Sequence, residues 1–230
     1  MTTFGLVHGA FHGAWCWELL AAELRTLGHE TVAMDLPCED PDAGNQRYAE
    51  VVAEALGDRG PVVLVGHSLG GLTIPLVAAA RPIERMVFLC AFIPIPGQPF
   101  SAQFGEEGIF PPTPESTWPV AGDDGLMTWP TERVIPVLYP DVQAPIAAWA
   151  AGRLRRQSGT PHAEPCPLTT WPDTPSSYIL CRDDLGVGAA WARRAARDRL
   201  SVVAEELPGG HSPFLAQPTA LAEVLDRIVR

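Results

Sequence analysis

Val62-Val63-Leu64-Val65-Gly66-His67-Ser68-Leu69-Gly70-Gly71 is the stretch on which the reading of this chain turns. Pro61 leads into a continuous apolar, mostly β-branched run, the pattern of a strand covered on both faces. From about Leu69 to Ala80 the apolar residues continue over a length that suits a helix. A strand that passes into a helix through so short a turn must bend sharply. Glycines two residues before and two after Ser68 remove the Cβ atoms that would collide there, and leave the serine hydroxyl exposed above the sheet.

Working outward from that turn, Phe4 to Val7 and Thr31 to Met34 read as strands on either side of a helix from Trp15 to Leu27, which ends at Gly28. Tyr48 to Leu56 reads as an amphipathic helix and Arg85 to Phe92 as another buried strand. Strands alternating with helices in this way imply a parallel sheet with right-handed crossovers. The alternation resumes with strands at Ser177 to Cys181 and Ser201 to Glu206, and helices at Ala189 to Arg197 and Thr219 to Val229. Between them, prolines recur every few residues, with Trp118, Trp129, Trp149 and Trp171 scattered among weak helical patterns. The expected architecture is α/β, with about six mostly parallel strands and helices on both faces. Residues 1–93 and 176–230 form the core, and 94–175 an inserted cap.

Composition removes whole classes of function. A chain of 230 residues with formal charge −11 and pI near 4.9 is repelled by phosphate backbones and anionic lipid, so neither nucleic acid nor membrane is an expected partner. All 16 basic residues are arginine, which excludes Schiff-base chemistry and a phosphate-loop lysine. Cys16, Cys38, Cys90, Cys166 and Cys181 lack metal-binding spacing, so reduced buried thiols are expected, with no metal and no cofactor. No apolar run approaches the roughly 18 to 20 residues that span a bilayer. The N-terminus lacks the pattern of a signal peptide, which makes the cytoplasm the expected compartment, and the lysine-free, Arg-, Ala- and Pro-rich usage points to a bacterial source.

A serine hydroxyl is a weak nucleophile at neutral pH and needs a base within hydrogen-bond reach. With a serine at a strand-to-helix elbow, an acid and then a histidine are expected further along the chain. Only His162 and His211 lie downstream. His162 falls in the proline-rich segment, whereas His211 follows Gly209-Gly210 between the last strand and the last helix, which makes it the candidate base. The candidate acids are Asp183 and Asp184, just beyond Tyr178-Ile179-Leu180-Cys181. Adjacent side chains point in opposite directions, so only one can face the histidine, and the residues alone do not choose. A tetrahedral oxyanion needs preset donors. The Leu69 amide is one candidate. The second is the amide of Ala10, in Val7-His8-Gly9-Ala10-Phe11-His12-Gly13, where His8 and His12 are expected to position the loop by hydrogen bonding.

HGAFHGAWCW near the start, GHSLGG, a strand ending CRDD and GGHSPF near the end together resemble the methylesterase and hydroxynitrile lyase branch of the α/β-hydrolases. The resemblance spans almost the whole core. It implies a carboxylesterase acting on small esters, with an apolar pocket under a cap, the acid at Asp184, and oxyanion donors at Ala10 and Leu69. The lyase members carry a lysine directly after the catalytic histidine, and Ser212 stands there instead, so that activity is not expected. Elbows bearing aspartate or cysteine in other α/β-hydrolases are likewise set aside by Ser68. Phe11, Trp15, Phe92, Phe104, Trp118, Trp129 and Trp149 are the candidate pocket walls for a small hydrophobic ester, and a homodimer is left open. C–C bond hydrolysis or perhydrolysis on the same triad is the alternative chemistry. A ligand-binding homologue without turnover is the alternative class.

Overall fold

The computed structural model describes residues 1–105 and 107–230. β1 (Thr3–Val7), α1 (Glu18–Thr26), β2 (Glu30–Ala33), α2 (Asn45–Leu56), β3 (Val62–His67), α3 (Gly70–Ala80) and β4 (Arg85–Leu89) follow one another as βα units. The next stretch has a two-stranded hairpin, β5 (Val120–Ala121) with β6 (Met127–Thr128), and the short helices α4 (Thr131–Leu138), α5 (Ala144–Ala151) and α6 (Thr160–Ala163). Alternation returns with β7 (Ser176–Cys181), α7 (Ala189–Leu200), β8 (Glu205–Leu207), α8 (Pro213–Ala216) and α9 (Pro218–Val229).

Six strands form one sheet in the order β2-β1-β3-β4-β7-β8, and every pairing in it is parallel. Period-two alternation divides each strand between two cores. Leu64, Phe88, Tyr178 and Leu180 pack on one face with residues of α2, α3 and α7. Val63, Val65, Val87, Leu89 and Ile179 pack on the other with residues of α1, α9, α4 and α5. All of β3 is buried, as its unbroken apolar run requires, whereas edge strand β2 is not. The two central strands β3 and β4 therefore carry their C-terminal ends, and whatever follows them, to the middle of the sheet edge.

Beyond shifts of one to three residues at the ends of other elements, three boundaries differ from the sequence expectation for reasons the backbone shows. The strand expected to reach Phe92 stops at Leu89, because Cys90 takes a left-handed backbone (φ 45°) and turns the chain. The strand expected from Ser201 starts only at Glu205, because Ser201 (φ 57°) caps α7 in the left-handed region. The expected first helix divides into a 3-10 turn at Ala14–Trp17 and α1.

Candidate active site

Ser68 follows directly on β3 with φ 50°, a conformation that costs a non-glycine residue about 1–3 kcal/mol and persists only where the surroundings enforce it. Neighbouring backbone does so here. The Ser68 amide donates to Leu89 O (3.2 Å), and its carbonyl accepts from Gly71 N and Phe92 N (3.1 Å each). A Cβ on Gly66 would stand 2.8 Å from Gly70 O, so the approach of strand to helix requires glycine.

At the end of β7 the two aspartates separate. Asp183 joins backbone: its amide donates to Gly209 O (3.0 Å) and its carboxylate accepts from Gly209 N (3.2 Å). Asp184 turns inward, with both carboxylate oxygens 2.9 Å from His211 Nδ1 and one also accepting from the amides of Gly186 (2.7 Å) and Val187 (2.9 Å). A carboxylate only accepts, so the Asp184–His211 contact keeps the ring proton on Nδ1 and leaves Nε2 as the basic nitrogen. The histidine loop is held from two more directions. Asp141, after α4, accepts from Gly210 N (2.9 Å), and His67 donates from Nε2–H to the His211 carbonyl (3.0 Å). His67 thus ties the serine turn to the histidine loop, its ring centroid 4.6 Å from that of His211. Burial holds the His67 pKa well below the ordinary histidine value.

The loop after β1 lies against the serine: a Cβ on Gly9 would stand 2.8 Å from Ser68 Cβ. Among the described residues, neither the Ala10 nor the Leu69 amide has a hydrogen-bond acceptor in the protein. Phe11 is left-handed (φ 65°) and is fastened by the stretch after α5, with Arg155 N donating to Phe11 O (2.7 Å) and Phe11 N donating to Gln157 Oε1 (3.3 Å). Asp141, Gln157 and Tyr139, whose hydroxyl lies 2.8 Å from His12 Nε2, carry no mark in the sequence. Each acts across a long sequence separation, and no local pattern marks such contacts.

Six of the seven candidate walls fall into two groups. Phe92, whose amide meets Ser68 O, packs on Phe100 (centroids 4.4 Å), and Phe104 packs on Phe100 and Phe110. His162 sits half-buried among Phe92, Phe100 and Phe104, and burial pushes its pKa down to about 4. On the other side Phe11 meets the edge of Trp129 (5.3 Å), and Trp15 meets Trp149 (5.2 Å). Trp118 joins neither group. It is 51% exposed and donates from Nε1 to Thr113 within its own loop. All five cysteines are buried free thiols, and burial raises those of Cys16 and Cys90 well above the ordinary range. Among the described residues no helix is long and apolar enough to cross a membrane, and no cluster of His, Cys, Asp or Glu is suited to a metal ion.

Comparison with known proteins agrees with this fold. The family model described as "Alpha/beta hydrolase family" matches residues 6–224. The alpha/beta hydrolase nvfD of Aspergillus novofumigatus is 25% identical over 96% of this chain and 93% of its own length. Methylesterase 2 of Arabidopsis thaliana is 39% identical over 104 residues, a stretch covering 40% of each chain. The crystal structure of polyneuridine aldehyde esterase superposes over 100% of both chains with a TM-score of 0.83 at 20% identity, which speaks to the fold alone.

Proposed function

The chain belongs to the alpha/beta hydrolase family, and from that premise we propose that it is a serine esterase cleaving small hydrophobic carboxylic esters through an acyl-enzyme. One observation carries the reading: a buried Asp184 carboxylate grips His211 Nδ1, in a loop bonded to the residue beside a left-handed serine. His211 Nε2 takes the proton as Ser68 Oγ attacks the ester carbonyl. Asp184 holds the ring's orientation and offsets the charge of the imidazolium. The amides of Ala10 and Leu69, which have no acceptor in the protein, receive the oxyanion. Collapse expels the alcohol, protonated by His211, and water activated by the same ring then releases the acid.

Small, uncharged substrates suit the surroundings. Ser68 is only 8% exposed, and the groups in reach of its turn include Phe92 and, through the Ala10 loop, Phe11 and Trp129. The names of relatives in the methylesterase group support ester cleavage over C–C cleavage.

Hydrolysis of p-nitrophenyl acetate, butyrate and octanoate by wild type and Ser68→Ala, with fluorophosphonate labelling mapped by peptide mass spectrometry, tests the reading. Turnover by wild type, label on Ser68 and a dead alanine variant are expected. An unlabelled Ser68, with equal rates in both proteins, overturns it in favour of a binding role.

A further inference from the structure

Two buried imidazoles in the loop after β1 have all their ring nitrogens engaged. His8 Nε2 lies 3.0 Å from the Leu36 amide, a group that only donates, so Nε2 is the acceptor and the proton sits on Nδ1. That Nδ1–H donates to the Gly9 carbonyl at 2.8 Å. His12 Nδ1 lies 2.8 Å from the Ala10 carbonyl, a group that only accepts, so it too carries the proton. His12 Nε2 then receives the Tyr139 hydroxyl at 2.8 Å.

These bonds fall on successive peptides. The Gly9 carbonyl and the Ala10 amide belong to one peptide unit, and the Ala10 carbonyl and the Phe11 amide to the next. Among the described residues no peptide is cis, and in a trans unit C=O and N–H point in opposite directions. Pulling the Gly9 carbonyl onto His8 therefore turns the Ala10 N–H the other way. The second unit is clamped at both ends, its carbonyl by His12 and its N–H by Gln157. Rotation about the Ala10 backbone is thus blocked on one side by an imidazole and on the other by an imidazole and an amide.

We propose that His8 and His12, with Tyr139 behind His12, are positioning residues that aim the Ala10 N–H at the oxyanion. This rests on the esterase reading of Ser68. The His8 tautomer is fixed from outside the loop by the Leu36 amide and the His12 tautomer by the Ala10 carbonyl, with the Tyr139 hydroxyl donating to the His12 nitrogen left as acceptor. Trp15 stacks on His12 at 5.5 Å, and Phe214 and His67 meet it edge-on. Charged or titratable neighbours are Arg155 and Asp35 for His8, and His8, His67, His211 and Tyr139 for His12. Burial outweighs them and sets the pKa of His8 at about 4 and of His12 at about 3, so both clamps stay neutral where a serine esterase works.

The test compares wild type with Tyr139→Phe, His12→Leu and His12→Asn, whose amide can donate from nearly the place of Nδ1. Losing one oxyanion donor costs about 10²–10³ in kcat, so His12→Leu is expected to lose up to about that factor with KM nearly unchanged. Tyr139→Phe is expected to lose about tenfold, and His12→Asn to recover most of the His12→Leu loss. Affinity for an aryl trifluoromethyl ketone, which forms an oxyanion on the serine, should fall in step with kcat/KM. Undiminished ketone affinity beside lost thermal stability would overturn the proposal, since packing alone would then account for the residue. Nitrogen-15 NMR of the wild-type imidazoles needs no variant to fold: both rings should be Nδ1–H tautomers, and an Nε2–H tautomer at either sinks the idea. Fluorophosphonate labelling of Ser68 reads the esterase assignment separately.

Discussion

Around Ser68 the candidate catalytic groups are buried: Ser68, Asp184 and His211 are 8%, 4% and 3% exposed, and the carboxylate accepts from the ring and two amides. Across residues 94–175 the candidate walls Phe104, Trp118 and Trp149 are 40%, 51% and 37% exposed. The first region is fixed by directional bonds that have one solution. The second is shaped by aromatic contacts, which constrain position less sharply than directional bonds do. If, as proposed, chemistry belongs to the sheet edge and substrate choice to the covering segment, substitutions should act on different kinetic constants in the two places.

The largest effect is expected at Asp184→Asn. An amide in place of the carboxylate can present its NH₂ to His211 and favour the wrong tautomer, and such a change costs about 10⁴ in kcat in serine hydrolases. Stopped-flow acylation should show that loss with thermal stability nearly retained, whereas Asp183→Asn, which keeps an acceptor for Gly209, should lose less than about threefold. A comparable loss at both positions would break the distinction between them.

Acid should destabilise the fold through its buried histidines. His8 (pKa about 4), His12 (about 3) and His67 (well below normal) are neutral when folded, while the unfolded chain binds protons near pH 6.5. The unfolded state therefore holds more protons below that pH. Stability is full above about 6.5 and falls as pH drops toward about 4. Tm by calorimetry is expected to fall at least about 5 °C between pH 7 and pH 5. A flat profile over that interval would mean these rings are not buried neutral.

A smaller effect is expected where the covering segment is latched to the core. Glu107 accepts from Trp191 Nε1 (2.7 Å) and from Arg199, whose guanidinium also reaches Ile93 O and Gln103 Oε1. The pair is partly open to water, at 30% and 17% side-chain exposure, which limits its strength. Glu107→Ala should lower Tm by about 2–5 °C and speed proteolysis between residues 100 and 110, with kcat for the acetate ester unchanged. A fall in kcat at constant KM would show that this segment acts on the chemistry.

What was legible in the sequence follows the same division. The run Val62–Val65 and the glycines around Ser68 are local causes with local effects, and they marked the strand, the turn and the candidate nucleophile. His211 was legible because it falls between the last strand and the last helix. Asp183 and Asp184 were not separable from residues alone, since the deciding fact is that Gly209 engages the first, 26 positions away. The left-handed backbones of Cys90 and Ser201 were not legible either, for neither residue type announces φ above zero. Tyr139, Asp141 and Gln157 act from the covering segment at separations of 127, 69 and 146 residues, and the sequence marks none of them.

The smallest effect sharpens the comparison within the covering segment itself. Trp118 and Trp129 are both candidate walls, yet they stand differently. Trp129 is half-buried, donates to Thr117 O (2.7 Å) and sets its edge against Phe11, next to the Ala10 amide. Trp118 is half in solvent and bonds only within its own turn through its indole N–H. Truncating an exposed ring usually changes stability by less than about 0.5 kcal/mol. Trp118→Ala should therefore leave Tm within about 2 °C and KM for the octanoate ester within about twofold. Trp129→Ala removes a ring from beside Phe11 and should raise octanoate KM about tenfold while sparing acetate, since losing one aromatic contact is worth about 0.5–1.5 kcal/mol beyond its buried area. The reverse order would place the acyl or alkyl chain against Trp118 and make the outer loop, not the Phe11 side, the wall that measures substrate length.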